Sequence, residues 1–181
     1  MPGPLYEFFT SDHARLDRLI KQAVKGPHEI DLTLYSQFRA GLLKHIGMEE
    51  KMLLPMAKRS AGGARRAFID RIRLDHSAIA ALLVPTPTPM IIAALRAILS
   101  THNALEEAVG GLYEECEHRF HAIAQDLLEE LRAFPEIRTA PIIEVSMVID
   151  ATRRAVARAG YNLDDFVTDT FEVEDITYEI K

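Results

Sequence analysis

Two stretches of the chain share one pattern, HIGMEE at residues 45–50 and HNALEE at residues 102–107. In both, a histidine and a glutamate stand four positions apart, and a second glutamate follows directly. Residues four apart on an α-helix lie on the same face, about 6 Å apart along its axis. Each stretch can therefore direct an imidazole and a carboxylate into the same space.

Apolar residues recur at helical spacing around both stretches. They predict four amphipathic helices, over about residues 5–24, 32–59, 64–83 and 89–132. Asp31 and Thr88 are suited to cap the second and fourth helices. Pro55 is expected to kink or end the second, and Gly110-Gly111 to bend the fourth. The inward stripe of the fourth helix is expected to be Leu95, Leu99, His102, Glu106, Val109 and Tyr113.

Four such helices joined by short breaks favour an all-α fold, an up-down-up-down four-helix bundle. We assign the bundle to residues 1–134 and a C-terminal extension to residues 135–181. Within the extension, a helix is expected from Pro141 to Ala159, ended by Gly160. Residues 171–180 partly alternate apolar and polar, which fits an arm on the bundle, an arm on a partner chain in a homodimer, or a tail.

The bulk composition excludes several classes of protein. A chain of 181 residues suffices for one domain with a sizeable core, and 48% of its residues are apolar. The net charge is −6 and the basic residues are scattered, so nucleic acid is not an expected partner. Apolar runs are too short to span a bilayer, the N-terminal sequence has no secretory character, and Cys116 is the only cysteine. We therefore expect a soluble, cytoplasmic protein without membrane association.

Two further histidines, His13 and His76, stand on the apolar stripes of the first and third predicted helices. With the two repeated motifs they give a candidate ligand set of His13, His45, Glu49, His76, His102 and Glu106. Ionised carboxylates facing each other in a core are costly unless cations compensate them. Six ligands are too many for one tetrahedral zinc, whereas two bridging carboxylates suit two metals, and mixed imidazole and carboxylate ligands suit iron.

Other polar residues favour plainer interpretations. Any one of these histidines alone is more often a hydrogen-bonded core residue, and a lone motif is more often an ordinary helix pair. Cys116, Glu117, His118 and His121 are too far along the helix from Glu106 to join it, and are expected at a solvated helix end. His28 is expected to be exposed, and Asp12 and Asp75 to lie on the surface. Tyr35 and Tyr113 are expected as core aromatics unless one reaches the metals.

The order His, His-x-x-x-Glu, His, His-x-x-x-Glu resembles the hemerythrin-like (HHE) cation-binding domains over about residues 5–132. The stretch from His45 to Pro55 is similar to their signature. The resemblance implies two iron ions with an oxo or hydroxo bridge, for which manganese or zinc can substitute. It also implies that His13 and His45 bind one iron and His76 and His102 the other, and that Glu49 and Glu106 bridge them.

The sequence differs from the oxygen-carrying members, which have a second histidine four positions from the one on the third helix. Here Ile72 and Ala80 occupy the positions four before and four after His76, and Glu106 is four residues beyond His102. The resemblance is therefore to the branch with four histidines and two glutamates, which includes sensors and di-iron repair proteins. It implies a site that reacts with or senses oxygen, peroxide or nitric oxide rather than one that transports oxygen.

Two alternatives remain at this point: an iron-dependent regulatory module without turnover, and a di-iron repair protein for damaged iron centres. The sequence leaves open whether the protein is an enzyme. If it is one, peroxide- or nitric oxide-related redox activity is expected.

Overall fold

The computed structural model describes residues 3–59 and 62–173. Its α-helices are α1 Pro4–Ala23, α2 Leu32–Met48, α3 Leu54–Arg59, α4 Gly63–Leu82, α5 Pro89–Glu107, α6 Leu112–Phe120, α7 Ala124–Arg132 and α8 Ser146–Arg158. Short antiparallel strands, β1 Val24–Gly26 and β2 Glu29–Ile30, join α1 to α2. A π-helical turn, Glu49–Leu53, joins α2 to α3, and 3-10 turns occur at His121–Ile123 and Leu163–Phe166. The predicted all-α bundle is confirmed.

The two predicted helix caps are present. The Asp31 carboxylate accepts hydrogen bonds from the Thr33 and Leu34 backbone N–H groups, at 2.9 and 3.0 Å. The Thr88 hydroxyl accepts from the Ile91 N–H at 3.4 Å, and Pro89 is the first residue of α5. Both caps satisfy N–H groups that have no partner within the helix, and so fix where α2 and α5 begin.

The core consists of two apolar clusters. One includes Leu16, Ile20, Phe38, Leu42, Ile79, Leu95 and Ile98, and the other includes Phe9, Leu53, Ile69, Ile72, Leu112 and Leu128. Along α1 the chain passes from Phe9 in one cluster to Leu16 in the other, and His13 lies between them. On α4, His76 likewise lies between Ile72 and Ile79. The polar residues of the core therefore form a layer with apolar packing above and below it.

The second predicted helix is interrupted by the π turn. Pro55 has no N–H, and its ring would clash with the carbonyl of Lys51 in a regular α-helix. The wide turn ends at Leu53, just before this proline. Pi turns of this kind are common near functional sites, and this one begins at Glu49.

The fourth predicted helix is divided into α5, α6 and α7, with its first break between Glu107 and Leu112. Gly110 adopts φ +74°, a conformation that favours glycine. A Cβ on Gly111 would lie 2.5 Å from the Glu106 carbonyl oxygen, so only glycine fits there. Val109, predicted to face inward, lies in this break and is 97% exposed, so that expectation is wrong.

The extension packs onto the bundle and its helix is shorter than predicted. Helix α8 begins at Ser146 rather than Pro141, because the Ile143 N–H instead donates to the Val84 carbonyl at 3.1 Å. The Thr152 hydroxyl donates to the Ala81 carbonyl at 3.1 Å, which ties α8 to α4. Of the alternating stretch, Phe171 donates its N–H to the Pro27 carbonyl at 2.8 Å. The part of the predicted arm from residue 174 onward lies outside the described residues.

Within the described parts of the chain, none of the helices combines the length and the apolar character needed to cross a membrane.

Replacing Gly111 with alanine should destabilise the protein. The new Cβ would lie 2.5 Å from the Glu106 carbonyl and 2.7 Å from that of Ala108, so the break after α5 must move. Overpacking of this kind costs about 1–3 kcal/mol, and urea unfolding of the metal-free protein measures it. Gly63→Ala is the matched control: a Cβ there meets nothing within 4 Å, so stability should not fall. Equal midpoints for Gly111→Ala and wild type would contradict the close approach.

Candidate metal centre

Six buried side chains converge in the polar layer of the bundle. They are His13, His45, Glu49, His76, His102 and Glu106, and none is more than 6% exposed. Their ligand atoms form two groups that share both glutamates: one contains His13 and His45, and the other contains His76 and His102. Within each group the ligand atoms all lie within 4.8 Å of one another. The structure thus brings together all six residues singled out from the sequence, in the two pairs that the resemblance implied.

The two carboxylates lie between the histidine pairs. Glu49 places Oε1 3.4 Å from His45 Nε2 and Oε2 3.1 Å from His76 Nε2. Glu106 places Oε2 3.5 Å from His13 Nε2 and 3.3 Å from His102 Nε2. Each glutamate therefore faces one histidine from each pair, and all four rings present Nε2 to the same interior space.

The outer nitrogen of each ring faces a further carboxylate on a neighbouring element. Nδ1 lies 2.9 Å from Asp12 for His45, 2.9 Å from Glu50 for His76, 2.6 Å from Glu107 for His13, and 3.7 Å from Asp75 for His102. Every carboxylate in this set directly precedes or follows one of the six residues in sequence. One residue step turns by about 100° around a helix, so the neighbour of an inward residue faces the adjacent helix.

These four contacts form a closed ring around the bundle. Helix α1 supports the histidine of α2, the turn after α2 supports that of α4, α4 supports that of α5, and α5 supports that of α1. For His13, His45 and His76 the carboxylate is hydrogen-bonded to Nδ1, which fixes the ring orientation and leaves Nε2 free as a ligand.

Arginines hold three of the four outer carboxylates. Arg15 Nε lies 2.7 Å from Asp12, Arg73 Nε 3.0 Å from Glu50, and Arg71 Nη2 2.9 Å from Asp75. Because these guanidinium groups are permanently charged, they hold the carboxylates in place beside the histidine rings.

Several buried nitrogen and oxygen atoms of the six side chains have no hydrogen-bond partner among the described residues, and this bears on whether metal ions fit the site. Glu49 Oε2, Glu106 Oε1 and His76 Nε2 are buried and have no hydrogen-bond partner among the described residues. Glu49 Oε2 and His76 Nε2 lie only 3.1 Å apart without a properly oriented bond. Lone pairs aimed at a common point, in a set of imidazoles and carboxylates, are what metal ions require. The residues present therefore fit metal ions.

Comparison with protein families now identifies the fold. The model of the hemerythrin HHE cation binding domain matches residues 5–131. The chain belongs to this family. Comparisons with curated proteins and with solved structures find no match. The resemblance read from the sequence is confirmed, and the extension that contains α8 lies outside the matched hemerythrin-like domain.

Tyr113 is a residue of the hemerythrin-like site that the sequence did not assign. Its hydroxyl donates to Glu49 Oε1 at 2.6 Å and to Glu106 Oε2 at 2.9 Å. It also lies 3.1 Å from His13 Nε2 and 3.3 Å from His45 Nε2. The phenol thus reaches the His13–His45 pair. From the sequence, a core aromatic is expected here unless the side chain reaches the candidate ligands, and it does reach them. Its place on the predicted inward stripe, seven residues beyond Glu106, was the available signal, and Tyr113 stays inward although the helix breaks between α5 and α6.

The expectation that Asp12 and Asp75 lie on the surface of the hemerythrin-like domain is wrong. Asp75 is fully buried, and Asp12 is largely buried against His45. Each side chain points away from the histidine that follows it in sequence, as expected for adjacent helix positions. It points toward a histidine on a neighbouring helix rather than to solvent. Glu50 and Glu107, which directly follow Glu49 and Glu106 in sequence, also face a histidine on a neighbouring helix. The position of all four carboxylates next to an inward residue could therefore have predicted these contacts.

The remaining candidates do not join the centre. His28, His118 and His121 are exposed. Glu117 instead accepts the Leu5 and Tyr6 N–H groups at the start of α1, at 2.7 and 3.1 Å. Cys116 is buried rather than solvated, and burial raises the pKa of its thiol to about 12. Tyr35 is a core aromatic as expected, and burial raises its pKa to about 12.

Without cations, protons balance the charges of the hemerythrin-like site. Burial opposes the charge on His45, but Glu49 and Asp12 outweigh it and raise its pKa to about 10. Burial likewise opposes the charge on His76, but the nearby Glu49 and Glu50 carboxylates outweigh it and raise its pKa to about 9. Burial and then the charge of Glu49 raise the pKa of Glu106 well above its usual range. A cation entering this site must displace protons.

Metal binding should therefore release protons and tighten as the pH rises. His45 and His76, with pKa values raised to about 10 and about 9, are protonated near neutral pH and must each lose a proton to bind a cation. Calorimetric titration with zinc in buffers of different ionisation enthalpy measures the release. His28→Ala is the control and should behave as wild type. Affinity that does not change with pH would contradict this account.

The same groups make the metal-free protein less stable at high pH. Their folded-state pKa values lie above the unfolded value of about 6.5, so their stabilisation is complete below that value. It is lost as the pH rises through about 9 and about 10. Chemical unfolding of the metal-free protein between neutral and alkaline pH measures this loss, and stability that stays constant over this range would contradict it.

Proposed function

We propose that the chain is a non-haem di-iron protein that reacts with or senses oxygen, peroxide or nitric oxide. His13 and His45 would hold one ion, His76 and His102 the other, and Glu49 and Glu106 would bind between them. The observation that carries this proposal is the position of the two glutamates, each of which faces one histidine of both pairs.

Iron in such a site supplies a redox-active Lewis acid to which small oxygen or nitrogen ligands bind. The protein's own residues hold the four Nε2 atoms in one space through carboxylates on Nδ1. The apolar clusters on both sides of the polar layer restrict water. These features favour iron over a freely hydrated cation such as magnesium, which prefers oxygen ligands.

The burial of the site supports a small ligand. None of the six inner side chains is more than 6% exposed. A cleft of about 630 Å³ reaches His13 and Glu107, and a second of about 610 Å³ reaches His76 and Glu50. Both clefts therefore approach the outer edge of the centre without opening it. A diatomic molecule or peroxide can pass such an edge during small fluctuations, whereas a large substrate cannot.

The two halves of the site are unlike, and this favours a division of roles. Tyr113 fills space beside His13 and His45, and burial raises the pKa of its hydroxyl well above its usual range, so the proton stays on Oη. The His76 side keeps unpartnered Nε2, Glu49 Oε2 and Glu106 Oε1 atoms among the described residues. We infer that small ligands engage on the His76–His102 side, and that Tyr113 holds a proton near both glutamates.

Sensing without turnover is a second candidate, favoured by one observation. The extension that follows the hemerythrin-like domain packs on α4, the helix that carries His76. A change at the centre can therefore be transmitted to a surface outside the domain. Steady consumption of peroxide or nitric oxide per iron would favour a reactive centre, whereas an iron-dependent change in the extension without turnover would favour a sensor.

Reconstitution with iron tests the proposal. We expect two irons per chain, bound by the residues named above, and an optical spectrum that changes on addition of peroxide. His76→Ala should lose at least one iron per chain because it removes an inner nitrogen of one pair. His118→Ala is the control, since His118 is exposed, and should keep the wild-type content. Fewer than one iron per chain in the wild type, or a single zinc, would overturn the proposal. A fully reversible oxygen complex over repeated cycles would instead indicate transport.

Tyr113→Phe tests the division between the halves. The substitution removes the hydroxyl that contacts Glu49, Glu106, His13 and His45, and should alter the visible spectrum of the ferric protein. Tyr35→Phe is the matched control because Tyr35 is equally buried and its hydroxyl has no hydrogen-bond partner in the described structure. Identical ferric spectra for Tyr113→Phe and wild type would show that the phenol does not influence the metals.

A further inference from the structure

Arg71, on α4, connects the metal centre with the C-terminal extension. On one side its guanidinium contacts the Asp75 carboxylate, with Nη2 2.9 Å from Oδ1 and Nε 3.2 Å from Oδ2. On the other side, Nη1 donates to the Ala159 carbonyl and Nη2 to the Tyr161 hydroxyl, both at 2.8 Å. The guanidinium also lies over the Tyr161 ring, 5.1 Å from its centroid. The Arg71 side chain thus contacts both the carboxylate behind His102 and the C-terminal extension.

The end of α8 is built to receive a cation. Gly160 adopts φ +85°, and the Gly160 and Tyr161 N–H groups turn back to the carbonyls of Ala157 and Val156. This closing turn leaves the Ala159 carbonyl facing Arg71. The carbonyl end of a helix carries partial negative charge, so a guanidinium there is favourable.

The other end of this contact is at the metal centre. Asp75 is fully buried, and its Oδ2 lies 3.7 Å from His102 Nδ1. That separation is the longest of the four contacts between an outer carboxylate and a ring nitrogen. A small movement of Asp75 decides whether a hydrogen bond to His102 forms, and Arg71 sets the position of Asp75.

The other two arginines behind the histidines differ from Arg71. Arg15 and Arg73 hold Asp12 and Glu50 through Nε and are 45% and 51% exposed. Arg71 contacts Asp75 through Nε and Nη2, and its Nη1 and Nη2 also donate to Ala159 and Tyr161, which lie beyond residue 131, the last residue of the family match. The connection therefore joins the family domain to a part of the chain that the family match does not include.

We propose that the C-terminal extension positions His102 through Arg71 and Asp75, so that docking of α8 and metal binding at the His76–His102 half-site are coupled. Arg71 is a positioning residue, since it acts on the site through Asp75. The inference rests on the proposed function, because it requires His102 to be a metal ligand. Coupling is reciprocal: a metal ion on His102 must stabilise the docked extension as much as the docked extension stabilises the metal ion.

Arg71→Lys in the 181-residue chain tests the coupling. Lysine keeps the charge but lacks the fork that reaches Asp75, Ala159 and Tyr161 together. Loss of a carboxylate support behind a ligand histidine lowers metal affinity about 10- to 100-fold. In titrations with cobalt(II) against a competing chelator, one of the two ions should bind at least about 10-fold more weakly and the other unchanged. Tyr161→Phe should give a smaller change in the same direction.

Hydrogen exchange supplies a second measurement that does not depend on activity. Metal loading should slow exchange of the α8 amides in the wild type, and Arg71→Lys should abolish that slowing. A merely structural role would weaken both ions equally and would leave the metal-dependent slowing intact. Arg153→Lys is the matched control: it alters the ion pair of Arg153 with Asp164 within the same extension, and should behave as wild type.

The outcomes separate the two proposals. If wild type binds two ions and Arg71→Lys binds both as tightly, with the same slowing of exchange, the coupling is overturned and the metal centre stands. If both ions weaken equally, Arg71 serves overall stability and the coupling is again overturned. If wild type binds no ion, the proposed function fails and the coupling fails with it.

Discussion

Two carboxylates, Glu49 and Glu106, lie among four imidazole rings in the core, and their repulsion must be neutralised. Without cations, burial and the charge of Glu49 raise the pKa of Glu106 well above its usual range, and neighbouring carboxylates raise the pKa values of His45 and His76 to about 10 and about 9. Metal cations satisfy the same requirement without protons. The charge balance at this point explains why the bundle carries a polar layer between two apolar clusters.

Helices α2 and α5 both end next to the polar layer. The π turn begins at Glu49, and α5 ends at Glu107. Both histidine–glutamate motifs therefore stand at the end of a regular helix, followed by a glutamate that contacts a histidine on another helix. Pro55 and Gly111 account for the two interruptions, one by a missing N–H and the other by a close backbone approach. Local backbone chemistry and the construction of the site thus depend on the same few residues.

The ring of carboxylates behind the histidines gives the centre its rigidity. A carboxylate from a neighbouring element faces each histidine, and hydrogen bonds of 2.6–2.9 Å orient the rings of His13, His45 and His76. The contact at His102 is the longest of the four, and it is the one linked through Arg71 to the extension. The longest of these contacts is thus connected to a segment outside the family match. This arrangement fits a centre whose state is communicated to the surface as well as one that performs chemistry.

The sequence by itself determined the helical bundle and the six inner residues, because helical spacing of apolar residues, histidines and glutamates is a local property that can be counted along the chain. It also determined the caps at Asp31 and Thr88. The tertiary structure alone decided which carboxylate supports which histidine, since those contacts cross between helices. It also decided that Tyr113, already on the predicted inward stripe, contacts both glutamates of the centre. It also turned Asp12 and Asp75 toward neighbouring helices rather than solvent, because a helix face is exposed or buried according to what packs against it.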